Sequence, residues 1–150
     1  LPTLGRASEL GDIRDLMFQS HQAWFCGLWD KAALKPVLTR VWDNYPSVWG
    51  PDHLTLYPFL IQRQVALAPE AVFIQRITPK SGDAGYRRPK LSDMVMLRRK
   101  FLALCKSFRR DQNITGAREA ALAAMTWFYA GKRVYKARHM LRDIALGRWS

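Results

Sequence analysis

Proline is concentrated in one part of this chain. Seven of the eight prolines (Pro36, Pro46, Pro51, Pro58, Pro69, Pro79 and Pro89) fall in the middle, and the eighth is Pro2. A proline lacks the amide hydrogen of the helical ladder and pushes the residue before it out of helical geometry. Long helices are therefore expected only before Pro36 and after Pro89, with a broken segment over residues 35–90.

The first stretch reads as a helix from a cap at Ser8, with Asp12 in its first turns, to about Leu34, where Pro36 is expected to stop it. At the helical period, Ile13, Met17, Trp24 and Leu28 share a stripe, Phe18 and Phe25 flank it, and Asp12, Asp15, Gln19, Gln22 and Asp30 lie opposite. Short helical pieces are expected at 37–43, 59–68 and 70–77, and residues 78–85 carry turn chemistry. This middle segment reads as an insertion wrapping over the rest.

Beyond Pro89 a second long helix is expected from a Ser92 cap to about Arg110, with Met94, Leu97, Phe101, Leu104, Cys105 and Phe108 as its seam. A third runs from Thr115–Gly116 toward Leu146. Gly131 inside it costs about 1 kcal/mol relative to Ala, so a bend is expected there. Its seam reads Trp127, Ala130, Val134, Ala137, Leu141 and Ile144. The predicted fold is all-α: an antiparallel two-helix hairpin with a Pro-rich insertion and a basic C-terminal helical extension. Its parts are residues 1–34 (N-terminal arm and first hairpin helix), 35–90 (insertion), 91–110 (second hairpin helix) and 111–150 (basic helix). Ile13, Met17, Trp24 and Leu28 are expected to face Leu97, Phe101, Leu104 and Phe108.

Charge divides the chain as sharply as proline does. Residues 1–84 balance eight Lys/Arg with eight Asp/Glu, whereas residues 85–150 hold sixteen against four, the whole of the +12 excess. Such a field attracts a polyanion, nucleic acid first and an anionic membrane surface second. Lys132 with Lys136, and Arg138 with Arg142, are like-charged neighbours one turn apart, a repulsion that phosphates relieve. The expected phosphate contacts are Arg98, Arg99, Lys100, Lys106, Arg109, Arg110, Lys132, Arg133, Lys136, Arg138 and Arg142, with Tyr129, Tyr135 and His139 placed to stack on bases or riboses.

Little else points to chemistry. Cys26 and Cys105 have no metal-ligand spacing and read as reduced thiols, and His21, His53 and His139 are scattered. Asp12 with Asp15, or His21 near Asp15, read as exposed positions of an amphipathic helix rather than as an acid–base pair. Neither an enzyme, a metal site, a cofactor, a small-molecule substrate nor a transmembrane segment is expected.

Gly5-Arg6-Ala7, Asp12-Ile13-Arg14, Phe18, His21, Trp24-Phe25, Leu28, Asp30-Lys31 and Leu34 resemble the mitochondrial form of the large-subunit ribosomal protein twenty-nine family. Leu97-Arg98-Arg99, followed by Phe101, Leu104 and Lys106, resembles that family's second helix. The family's Trp is Ser8 here, and residues 35–90 are longer than its usual connection. A second likeness, over Leu102, Leu104, Lys106, Phe108-Arg109, Asn113, Ala117-Arg118, Phe128, Arg133, Lys136, Arg138 and Met140, is to the large-subunit ribosomal protein twenty family. Both likenesses imply a structural protein of an organellar large ribosomal subunit. It would sit in the mitochondrial matrix near the polypeptide exit, neutralising and positioning ribosomal RNA beside neighbouring large-subunit proteins. The alternative is an accessory subunit of a mitochondrial membrane complex, since Leu97-Arg98-Arg99 with Phe101 and Phe108 loosely resembles the Leu-Tyr-Arg proteins. A chain whose first residue is Leu1, basic and with reduced thiols, fits an imported organelle protein.

Overall fold

The computed structural model describes residues 6–66, 90–134, 141, 142 and 144–147, with the side chains of 6–8 left aside. Every regular element among them is helical: α1 (Arg6–Gln19), α2 (Lys31–Asn44), α3 (Pro51–Ile61), α4 (Leu91–Asp111) and α5 (Gly116–Tyr129). A 3₁₀ turn spans Gln22–Cys26, and a π-helical segment, Ala130–Val134, continues α5. The all-α expectation therefore holds.

The first long helix is interrupted, contrary to the continuous run expected to Leu34. Local side-chain hydrogen bonds compete with the helical ladder at the break. Ser20 Oγ donates back to the Met17 carbonyl at 2.8 Å, and His21 Nδ1 accepts from the Ala23 amide at 3.2 Å to cap the 3₁₀ turn. Asp30 then starts α2 by accepting from the amides of Ala32 and Ala33. Pro36 accordingly lies inside α2 and ends nothing. Its missing amide frees the Ala32 carbonyl, on an exposed residue of the first turn where water can reach it. Leu28, expected in the core stripe, is fully exposed, while Ile13 and Met17 are buried and Trp24 is partly so.

The middle segment needs a larger correction. α3 lies within it, yet His53 through Ile61 are all buried, so these residues form the centre of the molecule instead of wrapping it. A helix apolar on every side is a core helix. Its start was legible: Gly50 takes a left-handed conformation (φ 91°) ahead of Pro51 at the first helical position. Gly50 is also required by space, since a Cβ there would stand 2.7 Å from Val134 Cγ1. Of the three short pieces expected, 37–43 falls inside α2, 59–68 overlaps only the end of α3, and 70–77 lies outside the described residues.

α4 keeps its predicted seam: Met94, Leu97, Phe101, Cys105 and Phe108 are buried, and Leu104 is partly buried against them. Its cap position lies two residues earlier than expected, at Lys90 and not Ser92. After α4, Asn113 adopts a left-handed conformation (φ 53°) that ends the helix, a position Asn tolerates well. α1 and α4 both pack chiefly on α3 and α5.

Two buried polar networks pin these helices. Arg109 of α4 donates from Nε and Nη2 to both carboxylate oxygens of Glu119 on α5, at 2.7 and 3.0 Å. Its Nη1 donates to Tyr57 Oη of α3 at 2.9 Å and to Thr126 Oγ1 of α5 at 3.2 Å. In the second network Tyr129 Oη of α5 bonds His53 Nδ1 of α3 at 2.9 Å and accepts from Ser20 Oγ at 3.3 Å. In each network a buried polar group finds partners on other helices, which satisfies it away from water and fixes the helices' relative register.

Candidate nucleic-acid interface

Two sets of cations among the described residues differ in their partners. In the first, each has a carboxylate: Arg14 bridges to Asp15, Arg63 to Asp12, Arg118 to Glu9, Arg40 to Asp111, and Arg109 to Glu119. In the second are Arg99, Lys100, Lys106 and Arg110 of α4, all exposed and with no carboxylate partner among the described residues. At 100° per residue, Arg99, Lys106 and Arg110 fall within a narrow arc opposite the buried seam. With about 1.5 Å of rise per residue they make a line about 16 Å long. Two of the three described acids in the basic half, Asp111 and Glu119, are already taken by Arg40 and Arg109. The line faces solvent without local neutralisation.

Other predicted contacts have different surroundings. Arg109 is 4% exposed, so it does not belong to the solvent-facing set, and the phosphate contact expected of it is replaced by Glu119. Burial pulls its guanidinium down, but the hydrogen bonds and charges of Glu119 and Tyr57 outweigh this and raise it above its usual range. Arg98 is partly buried, which lowers its pKa, and its guanidinium carbon stands 4.6 Å from the centroid of the Trp127 ring. Lys132 is exposed and lies 5.1 Å from the Phe18 ring centroid, whereas Arg133 is half-buried, with its Nε finding no hydrogen-bond partner among the described residues. Arg142 is exposed; Lys136 and Arg138 lie outside the described residues.

The aromatic expectations invert on α5. Tyr129, expected to stack on bases, is fully buried in its hydrogen bonds to His53 and Ser20. Trp127, expected in the apolar seam, is exposed, as is Phe128. The inward face of α5 is set instead by Leu122, Thr126 and Tyr129, and the hydroxyls of Thr126 and Tyr129 have partners on α3. Tyr135 and His139 lie outside the described residues.

Ser20 and His53 each bond the Tyr129 hydroxyl, and all three residues are buried. A depression of about 460 Å³ is lined only by α2 (Lys35, Pro36, Thr39, Arg40, Asp43 and Asn44) and opens broadly to solvent. Among the described residues no group of three His, Cys, Asp or Glu is placed to hold a metal, and no helix is long and apolar enough to cross a membrane.

Compared with known proteins, the chain matches no protein family, no curated protein and no solved structure. Among the described residues the fold and surface together define an all-helical molecule with a buried polar framework and an unneutralised cationic line on α4.

Proposed function

We propose that this chain is a structural RNA-binding protein that neutralises and positions phosphates along the outer face of α4. The observation that carries the reading is the line Arg99, Lys106 and Arg110, exposed and without carboxylates, in a molecule whose other arginines of this face are paired or stacked. Nothing in that line reads bases, so affinity is expected to be salt-dependent and tolerant of sequence.

A narrower proposal puts the chain in the mitochondrial large ribosomal subunit, near the polypeptide exit and against neighbouring large-subunit proteins. Its support is the likeness of residues 5–34 and 97–106 to protein twenty-nine, and of residues 102–140 to protein twenty. The hairpin that the first likeness implies would pair α1 with α4. Here α3 packs against both helices, so such a pairing is bridged by α3.

The test replaces Arg99, Lys106 and Arg110 together with Gln. Each lost phosphate contact should make the slope of log affinity against log salt shallower by about 0.9 for duplex RNA, or about 2–3 in all. A control that changes Arg14, Lys31 and Lys35 to Gln should leave the slope where it was. If the two triple variants bind RNA alike, the α4 line is not an RNA surface. Sedimentation of the native protein separates the cellular alternatives: ribosomal fractions support the ribosomal placement, and detergent-solubilised respiratory fractions support the membrane-complex accessory.

A further inference from the structure

We infer that Trp127 and Phe128, with Arg98 beside them, form a stacking platform for unpaired nucleotides of an RNA strand. The inference rests on the RNA-binding reading above and adds to it a preference for unpaired over duplex RNA.

Trp127 is 53% and Phe128 60% exposed, and the two rings meet edge to face at 5.3 Å between centroids. One exposed aromatic needs no explanation; two adjacent ones on a well-packed helix forgo burial that a core position would have rewarded. α5 therefore presents both rings outward together. Arg98 reaches across from α4, its guanidinium 4.6 Å from the Trp127 centroid and its Nη2 donating to the Trp127 carbonyl at 3.3 Å. A flat cation is thereby fixed against a flat ring, and planar groups of both kinds stack on nucleobases.

The surrounding charge selects the occupant. On α4 Arg98 is the cation that touches the platform, and along the chain the exposed Lys132 follows four residues after Phe128. The one acid within α5, Glu119, is held by Arg109. An apolar protein partner covering the rings would leave these cations to be neutralised separately. A single strand meets both demands, since its bases cover the rings while its phosphates meet the cations. A duplex meets only the second, because its bases are already stacked on one another.

The test uses the full chain, with binding measured by fluorescence anisotropy to a 5′-labelled oligouridine strand and to a duplex RNA of equal length, across a salt series. Changing Trp127 and Phe128 together to Ala should weaken single-strand binding about tenfold or more, given the usual strength of base–aromatic stacking. It should change duplex binding by less than about twofold and leave the salt slope unmoved, because no phosphate contact is lost. Trp127→Phe, which keeps a ring, should retain most of the affinity, and circular dichroism should find all variants folded. An equal loss on both RNAs, or no loss on either, overturns the platform. If RNA binding is unchanged while sedimentation velocity finds reduced self-association of the double Ala variant, the rings are a protein-docking face and the inference fails. These failures leave the α4 line intact provided Arg99, Lys106 and Arg110→Gln still flattens the salt slope. A wild-type chain that binds neither RNA removes both readings.

Discussion

Arg109 and Glu119 form a two-pronged ion pair, with Nε to Oε2 at 2.7 Å and Nη2 to Oε1 at 3.0 Å, and the Arg109 side chain is almost wholly buried. The pair joins α4 to α5 ten residues later, and the remaining Arg109 nitrogen reaches Tyr57 of α3. One cation thus ties three helices.

Removing one partner should therefore cost more than removing both. Glu119→Ala leaves a buried guanidinium with hydrogen bonds only to Tyr57 and Thr126, and should destabilise the fold by about 3 kcal/mol, measured by urea unfolding. Arg109→Met with Glu119→Leu, which restores apolar packing, should recover most of that loss. Stability of the double variant no better than that of Glu119→Ala would mean that the charge pair itself, and not the stranded cation, carries the energy.

Gly50 faces a backbone and a packing constraint together. Its φ of 91° disfavours any side chain, and a Cβ would meet Val134 Cγ1 at 2.7 Å. Gly50→Ala should cost about 1–3 kcal/mol. Val134→Ala with Gly50→Ala should relieve the clash but not the strain, so its unfolding midpoint should lie above that of Gly50→Ala and below that of Val134→Ala alone. If Gly50→Ala unfolds like the wild type, the close approach of the π segment to the start of α3 is wrong.

How much of this was legible varies from helix to helix. The α4 seam followed the helical period, so Leu97, Phe101 and Phe108 could be placed from spacing alone, and the outward line of Arg99, Lys106 and Arg110 follows from the same projection. Arg109 could not be separated from its neighbours, because its partner Glu119 lies on another helix and neighbouring residues do not reveal burial. Trp127 and Tyr129 were exchanged for a related reason. Hydropathy favours burying Trp, whereas the outcome was set by the hydrogen bonds of the Tyr129 hydroxyl with Ser20, which donates to it, and with His53, both distant in sequence. The interruption after Gln19 did leave a local sign: Asp30 followed by Lys31-Ala32-Ala33 has the form of a helix start, but the apolar stripe of residues 13–28 overrode it. α3 was missed because two prolines flank or enter it, although Pro51 is in the one helical position that favours proline.

The interrupted first helix makes a prediction that a continuous one would reverse. Phe101 is fully buried and touches the Tyr45 and Tyr129 rings edge-on or tilted, whereas Leu28 is fully exposed. Phe101→Ala should cost about 3–5 kcal/mol. Leu28→Ala should stay within about 0.5 kcal/mol of the wild type. Chemical denaturation of both variants decides the point: a Leu28→Ala loss comparable to that of Phe101→Ala would restore the continuous hairpin helix.

His53 should give the fold a pH dependence in weakly acidic solution. Burial disfavours its charged form, and although the Asp52 carboxylate opposes this, Arg133 and His21 add to it, so its folded pKa lies below the ordinary 6.5. Above the unfolded value both states hold neutral imidazole and the full stability is present. As pH falls below 6.5 the unfolded chain takes the proton first. Stability then declines by up to about 1.4 kcal/mol per pH unit, until the folded site protonates as well. Protonation would also deprive Nδ1 of any acceptor role toward the Tyr129 hydroxyl, 2.9 Å away, and place a cation among Arg133 and His21. His53→Gln keeps a polar side chain that does not titrate. It should lower stability at about pH 7.5, where the native histidine packs best, yet lose less between about pH 6.5 and pH 5.5 than the wild type does. Urea midpoints of both proteins at those three pH values make the comparison, and parallel profiles would show that the acid sensitivity lies elsewhere.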